Sequence, residues 1–287
     1  MSATFETLTT TYENITPEIA KEYLGRNSKN RVVKPKSVEA YARDMQHGDF
    51  KTIHQGIAFD TEGNLIDGQH RLLAIILSNT PVTMMVTRGV PVDDGIIATD
   101  RGVSRSVRDV MAIENKNCAP TSDSRVLSNP KIISAINQLV SMGYKKEKVT
   151  VSENKRIFEN FKSSITNIFD NIVSRLGSCG RAQMLAAAIA AAECGVDIDS
   201  ITKFFNIFYK DDVGGCFDYN IQAALNWKRQ IDDAKIHKVQ IDRKKLYLGT
   251  QNAIYHFVNN TGVSRIVAPA EPRYDIREKT EHALCVS

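Results

Sequence analysis

The chain has 287 residues, of which 42% are hydrophobic and 24% charged, which predicts a globular protein of one or two domains rather than a disordered chain. The formal net charge of +4 is mild and identifies no partner by itself. No apolar run approaches the roughly 20 residues that cross a bilayer, and the first residues are unlike a signal peptide, so we expect a cytoplasmic protein without a membrane partner. The five cysteines are odd in number and form no C-x-x-C pair, which indicates neither a disulfide scaffold nor a zinc site.

The first distinctive segment is a basic run at residues 26–36, which contains no acidic residue. Its cations could contact the phosphates of a nucleotide or of DNA, and they could equally form a solvated face. The cations are Arg26, Lys29, Arg31, Lys34 and Lys36.

The pentapeptide D-G-Q-H-R, Asp67 to Arg71, stands between a short apolar piece and a helical pattern. The apolar piece is led by Gly63 and Asn64, so we predict a strand-to-helix turn. A helix start has free backbone N–H groups and a dipole that attract anions. The pentapeptide therefore predicts a site for a polyphosphate. The apolar residues that follow at helical spacing are Leu72, Leu73, Ile76 and Leu77.

Each residue of the pentapeptide offers a chemical role. Asp67 can cap the helix, hold a ribose hydroxyl or bind a metal, and Gly68 permits close approach of the backbone. Gln69 and His70 can donate hydrogen bonds to a phosphate, and the planar fork of Arg71 fits two phosphate oxygens. The alternative interpretation is an ordinary cap and turn with a structural histidine and a surface arginine.

A predicted strand at residues 82–87 leads to a second basic segment, in which three arginines are spaced by four and three residues. On a helix they would share one face, headed by Asp100, and could supply positive charge to a transferring phosphoryl group. Alternatively, the arginines pair with nearby aspartates at the surface. The arginines are Arg101, Arg105 and Arg108, and the further aspartates are Asp94 and Asp109.

Beyond a polar linker at residues 115–124, helical patterns predict an all-α segment. The alanine-rich stretch 184–192 is expected to form its central helix, because small side chains suit close packing. A further basic cluster occupies residues 235–245, and the residues from Ala268 are expected to form an extended tail. Helices are predicted near 129–142, 152–161, 164–176, 180–194, 199–209, 218–233 and 243–260, with Pro130, Ser152, Asp199 and Asp218 as start signals.

Residues 53–90 resemble the core of the ParB/sulfiredoxin-like superfamily, in which a strand, the D-G-Q-H-R turn, a helix and a second strand form the nucleotide-binding unit. Upstream, Asn30-Arg31 and residues 38–48 resemble the helix that precedes this core. Downstream, residues 99–110 are similar to a segment of ParB-like proteins of bacteriophages and bacteria. The resemblance covers residues 28–115 and implies an origin in a phage or mobile element.

Members of this superfamily use triphosphates in different ways. ParB proteins bind and hydrolyse CTP and load onto DNA, sulfiredoxins use ATP to activate an oxidised cysteine, and other relatives phosphorylate serine or act in DNA modification. This chain lacks the doubled arginine of the ParB G-E-R-R box, and Gln69 stands where the sulfiredoxin G-C-H-R motif has its cysteine. The resemblance thus implies triphosphate binding without either specialised activity.

Two functions from different classes are consistent with these features. In the first, the chain is an NTP-dependent hydrolase or phosphotransferase that holds ATP or CTP, with Mg²⁺, at the turn formed by residues 67–71. In the second, it is a ParB-like DNA-associated regulatory protein in which nucleotide acts as a switch. DNA would then bind to the basic clusters 26–36 and 235–245.

The predicted fold class is α+β, with a small ParB/sulfiredoxin-like nucleotide-binding domain at residues 1–115, an all-α domain at 125–265 and a C-terminal tail at 268–287. We assign catalytic roles to Asp67, His70, Arg101 and Arg105, nucleotide binding to Gly68, Gln69, His70, Arg71 and Arg31, and Mg²⁺ binding to Asp67 and Asp100.

Overall fold

The computed structural model describes residues 8–27, 30, 32–53, 55–91, 122–141, 149–176, 181–214 and 218–285. Residue contacts divide the chain into two units, Met1–Ser104 and Arg105–Val286. The first unit contains a four-stranded sheet with helices, and the described part of the second unit is helical. The fold is therefore mixed, with a small sheet and a mostly helical remainder.

The first unit begins with strand β1 and contains three helices before its last strand. In the sheet, whose order is β1-β4-β2-β3, β1 pairs antiparallel with β4, β4 parallel with β2, and β2 antiparallel with β3. The elements are β1 (Thr9–Ile15), α1 (Pro17–Leu24), α2 (Pro35–Gln46), β2 (Ile57–Asp60), β3 (Leu65–Asp67), α3 (Gln69–Ser78) and β4 (Val82–Val90).

The core of the first unit forms between the sheet and helix α3, which packs against both α1 and α2. Alternate residues of β4, Met84 and Val86, are buried, as the two-residue period of a strand with one covered face requires. The strand-to-helix turn predicted at residues 67–71 is present between β3 and α3. The other fully buried large side chains of this core are Ile15, Ile57, Phe59, Leu65, Leu72 and Ile75.

The helices predicted between residues 129 and 260 are found within a few residues of their predicted bounds. The helix α7 continues through a π-helical segment, Phe169–Val173, and a last turn, Ser174–Leu176. The bounds are α4 (Ser122–Leu127), α5 (Pro130–Ser141), α6 (Val151–Asn160), α7 (Lys162–Ile168), α8 (Ala182–Glu193), α9 (Ile198–Lys210), α10 (Ile221–Ile236), α11 (Arg243–Val258) and α12 (Arg277–Cys285).

The alanine-rich helix α8 is central in this unit, as predicted. Residues 184–191 are all buried, and the helix packs against α5 and α11. The α10–α11 contact includes Gly249, where an added Cβ would lie 2.4 Å from the ring of Trp227. The indole Nε1–H of Trp227 donates to Thr250 Oγ1 at 3.1 Å, so this buried polar pair is satisfied.

Three of the predicted helix start signals are wrong. The caps are Thr150 rather than Ser152, Asp197 rather than Asp199, and Asn220 rather than Asp218; only Pro130 begins its helix as expected. The side chain of Thr150 accepts a hydrogen bond from the N–H of Glu153, and that of Asp197 accepts from the N–H of Ser200, in each case three residues along the chain. Capping requires that geometry, and Ser152 and Asp199, each two residues after the observed cap, already lie inside their helices.

Two segments predicted to lack structure contain helices. Residues 122–124 of the predicted linker belong to α4. The segment after Ala268, expected as an extended tail, contains α12, which packs against α6. Tyr274 and Ile276 are buried, and the side chain of Gln251 bonds the backbone of Tyr274 at both its carbonyl and its N–H. Packing against the rest of the helical unit therefore stabilises a helix in a segment whose own sequence has only weak helical periodicity.

Candidate functional site

The turn between β3 and α3 is built around Gly68, whose φ of 107° lies in the left-handed region. A Cβ at this position would lie 3.0 Å from the side chain of Ile57. Both the conformation and the close approach therefore require glycine. Because Gly68 is also the N-cap residue, no side chain caps the first turn of α3. The amide end of α3 thus keeps the character of an anion-binding helix start.

Both carboxylate oxygens of Asp67 accept hydrogen bonds from residues of the turn. Oδ1 accepts from the backbone N–H of Gly68 at 2.7 Å, and Oδ2 accepts from Arg71 Nη2 at 2.9 Å. Asp67 is therefore not the predicted helix cap. It is instead the partner of an i, i+4 ion pair that spans the helix start.

Arg71 is largely buried, with 12% of its side chain exposed. Its Nη2 also donates to the carbonyl oxygen of Gly56 at 2.5 Å. At Gly56 an added Cβ would lie 1.7 Å from the carbonyl oxygen of Met85, so Arg71 bonds a backbone group that must pass very close to β4. The Nε of Arg71 is buried and has no hydrogen-bond partner among the described residues.

Gln69 and His70 face the basic run rather than open solvent. Gln69 is buried, and its Oε1 accepts from Asn27 Nδ2 at 3.2 Å. His70 Nε2 accepts from the backbone N–H of Lys34, the N-cap residue of α2, at 3.0 Å. An accepting Nε2 requires the neutral ring with its proton on Nδ1. In this arrangement His70 can offer only its Nδ1–H as a donor.

The segment 26–36, hereafter the basic strap, is fixed beside the turn by further bonds. Asn30 Nδ2 donates to the carbonyl oxygen of Leu65 and to Asn27 Oδ1, both at 2.7 Å. The N–H of Leu65 donates to the carbonyl of Arg26 at 2.9 Å. The described residues Arg26 and Asn30 of the strap thus line the edge of β3, and Lys34 lies beside the start of α3. Sequence reasoning missed the role of Asn27, although two amides in a basic run are a signal for backbone contacts of this kind.

A second charged cluster joins Glu13 of β1, Tyr23 of α1 and Arg88 of β4. The guanidinium of Arg88 donates to both carboxylate oxygens of Glu13, at 2.5 and 3.1 Å, and to the hydroxyl of Tyr23 at 2.7 Å. Tyr23 in turn donates to Glu13 at 2.6 Å. Arg88 also lies 5.6 Å from the ring centroid of Phe59. No local pattern predicts this cluster, because its members are far apart in sequence.

The cluster shifts the pKa values of its three members. Hydrogen bonding from Arg88 lowers the pKa of Glu13 to about 2, with smaller contributions from Tyr23 and Thr11 and an opposing effect of burial. Burial and the bond to Glu13 raise the pKa of Tyr23. The bond to Glu13 raises the pKa of Arg88. All three groups therefore keep their charge states at neutral pH.

Several predicted site residues lie outside the described residues, namely Arg31, Arg101, Arg105 and Arg108 with Asp94, Asp100 and Asp109. The pentapeptide and the described part of the strap are brought together as above. In the part of the chain that the structure describes, no group of three or more His, Cys, Asp or Glu residues could hold a metal ion. Nor does any described helix have the length and apolar character needed to cross a membrane.

Comparison of the chain with known protein families, curated protein sequences and solved structures gave no match.

Proposed function

We propose that this chain binds a nucleoside triphosphate at the turn formed by residues 67–71 and hydrolyses it or transfers its phosphate. The observation that supports this most directly is the buried Nε of Arg71, a guanidinium N–H without a hydrogen-bond partner among the described residues, at a helix start that no side chain caps. Buried donors are nearly always satisfied in folded proteins, and an anion bound at the helix start is a partner that would satisfy this one. The resemblance of residues 53–90 to the ParB/sulfiredoxin-like core agrees with this.

Each group of the turn has a role in the proposed complex. The amide end of α3 and Arg71 bind phosphate oxygens, and the absence of a side chain at Gly68 lets them approach the backbone. Lys34, exposed on the strap, neutralises part of the phosphate charge. His70 holds the strap through the N–H of Lys34. Phosphoryl transfer needs positioning and charge neutralisation more than covalent chemistry, and this set of groups supplies both.

Mg²⁺ accompanies triphosphates and neutralises charge on the β and γ oxygens. Asp67 could contribute one carboxylate oxygen to it, although both of its oxygens already accept hydrogen bonds. Magnesium is therefore expected to be held mainly by the phosphates. The roles of Arg101 and Arg105 as charge-stabilising groups remain predictions from the sequence.

The proposal is tested by thermal shift and calorimetry with ATP, CTP, GTP and UTP in the presence of Mg²⁺. A ligand at 100 times its dissociation constant should stabilise the protein by about 2.7 kcal/mol. Lys34→Glu should weaken binding roughly tenfold, since it places a carboxylate beside the phosphates. Lys51→Glu, an equally exposed substitution in the same unit, is the matched control and should bind normally. If no triphosphate binds, or if both variants bind like wild type, the proposal is wrong.

The second candidate, a DNA-associated protein, is favoured by the connection between α10 and α11. None of the residues 232–245 is buried. Lys235, Lys238, Arg243 and Lys245 are exposed there and form no ion pair within the described residues. A set of unpaired cations at an exposed tip fits a phosphate backbone. The neighbouring Asp232 and Asp233 reduce the net positive charge of this tip.

Labelled duplex DNA titrated between about 50 and 200 mM salt tests this candidate, because a protein that neutralises phosphates loses affinity steeply with salt. Lys238→Glu should weaken binding and flatten the salt dependence, whereas Lys210→Glu, also exposed but on α9, should not. An affinity that is insensitive to salt, or equal for both variants, excludes the tip as the DNA contact.

A further inference from the structure

In the sheet formed by the described residues, strand β1 lies at one edge and pairs with β4. Its register is continuous from Thr9 to Ile15, without a bulge. No described residue forms a backbone hydrogen bond along the outer side of this strand. The outer side of β1 therefore presents a row of backbone N–H and C=O groups ready to pair with a further strand.

At the opposite edge of the same sheet, the outer side of strand β3 does form hydrogen bonds. The outer side of β3 is occupied by the strap, whose Arg26 carbonyl accepts from the N–H of Leu65 while Asn30 donates to the Leu65 carbonyl. Among the described residues, backbone and side-chain groups therefore bond the outer side of the three-residue edge strand β3, whereas none forms a backbone hydrogen bond along the outer side of the seven-residue edge strand β1.

Open edge strands are usually protected against pairing by lysine, proline, glycine-containing bulges or an inward charge. The sequence of β1, TTTYENI, has no lysine, proline or glycine. Its one charge, on Glu13, is bound by Arg88 and Tyr23. Threonine and tyrosine are good strand formers, and the side chain of Tyr12 is 70% exposed. The strand therefore has the composition of a pairing edge rather than a protected one.

We propose that β1 pairs antiparallel with β1 of a second copy of this chain, joining the two sheets across a two-fold axis at Tyr12. Residues directly opposite each other in a sheet have side chains on the same face, so a symmetric pair must be centred on a residue. Tyr12 is the middle residue of the strand, and centring the axis there lets all seven residues pair. The inference does not depend on the proposed nucleotide-binding function.

This register is self-complementary, which is why a second copy is the preferred occupant. Tyr12 lies opposite Tyr12 of the partner subunit, an aromatic pair that stabilises cross-strand contacts. Thr10 lies opposite Asn14 of the partner subunit, and Thr11 lies opposite Glu13 of the partner subunit. No like charges are opposed, as an interface between two identical strands requires.

The test is the mass of the full chain in solution, measured by light scattering on size-exclusion chromatography over a range of concentrations. Wild type should have twice the chain mass of 32.0 kDa. Tyr12→Lys and Tyr12→Glu each place like charges opposite each other at the axis, and each should raise the dimer dissociation constant roughly tenfold or more. An equimolar mixture of the two variants should recover the dimer, because the opposed charges are then of opposite sign.

Ile236→Lys is the matched control, since Ile236 is 72% exposed but lies in the second unit, and this variant should stay dimeric. Amide hydrogen exchange shows whether the Tyr12 variants fold: β4 should remain protected while alternate amides of β1 lose protection. A monomeric wild type, dimeric Tyr12 variants, or dissociation by Ile236→Lys as well would overturn the proposal. Failure of the mixture to recover the dimer would overturn the axis at Tyr12.

Discussion

At the scale of single residues, Arg71 has a structural role in addition to its proposed contact with the ligand. Its Nη2 joins the start of β2, through the Gly56 carbonyl, to the start of α3, through Asp67. Removing the side chain would leave the partly buried carbonyl of Gly56 and the carboxylate of Asp67 without their charged donor. A variant at Arg71 therefore changes stability and binding together, which is why Lys34 gives the cleaner test of the site.

The ion pair of Glu13 and Arg88 gives a pH prediction. The pKa of Glu13 is about 2 in the folded chain, below its ordinary value of 4.5, so the ionised form is favoured by folding. Its stabilisation is fully present above pH 4.5 and is lost as the pH falls toward 2. Because the pair is partly exposed to solvent, we expect Glu13→Gln to lower the opening free energy of β1 and β4 by about 1–2 kcal/mol at neutral pH.

Amide exchange of β4, corrected for intrinsic rates, measures this effect across the pH range. The difference between wild type and Glu13→Gln should shrink as the pH approaches 2. Glu39→Gln, at an exposed position of α2, is the control and should have no effect at any pH. A difference for Glu13→Gln that stays constant from neutral pH to pH 2 would assign the effect to packing instead of charge.

At the scale of secondary-structure elements, helix starts depend on one residue in the right place. Thr150 and Glu153 form a capping box at α6: Thr150 Oγ1 accepts from the N–H of Glu153 at 3.2 Å, and the Glu153 carboxylate accepts from the N–H of Thr150 at 2.7 Å. Ser152 lies inside the helix, where a serine side chain cannot cap the first turn.

Thr150→Ala should therefore lower the free energy of unfolding by about 1 kcal/mol, whereas Ser152→Ala should leave it unchanged or raise it slightly, since alanine is the better helix former. The measurement is urea unfolding followed by fluorescence of Trp227, the single tryptophan of the chain, which reports on the helical unit. Equal effects of the two substitutions would show that the capping box does not stabilise α6.

At the scale of the whole molecule, the question is whether the chain acts on nucleotide or on DNA. The sequence predicts that Arg101 and Arg105 stabilise charge that develops during phosphoryl transfer. Arg105→Ala should then reduce turnover much more than nucleotide affinity, because only contacts that strengthen in the transition state raise the rate. Lysine should substitute poorly, since it lacks the planar fork of arginine.

Turnover, nucleotide affinity and the salt dependence of DNA binding should be measured on the same Arg105→Ala protein. A normal hydrolysis rate would exclude the catalytic role. If DNA affinity falls instead, with a salt slope reduced by about one phosphate contact, Arg105 acts in DNA binding.

Short-range patterns in the sequence determined the turn at residues 67–71, the helix that follows it and the helices beyond residue 130, because helix periodicity and glycine conformations depend on neighbours a few residues apart. Only the tertiary structure decided what those residues contact. Arg71 bonds Gly56, His70 bonds the backbone of Lys34, and Glu13 bonds Arg88 across 75 positions of sequence. Such contacts depend on the order of the strands and on which polar groups are removed from water when the chain folds. Local sequence encodes neither of these.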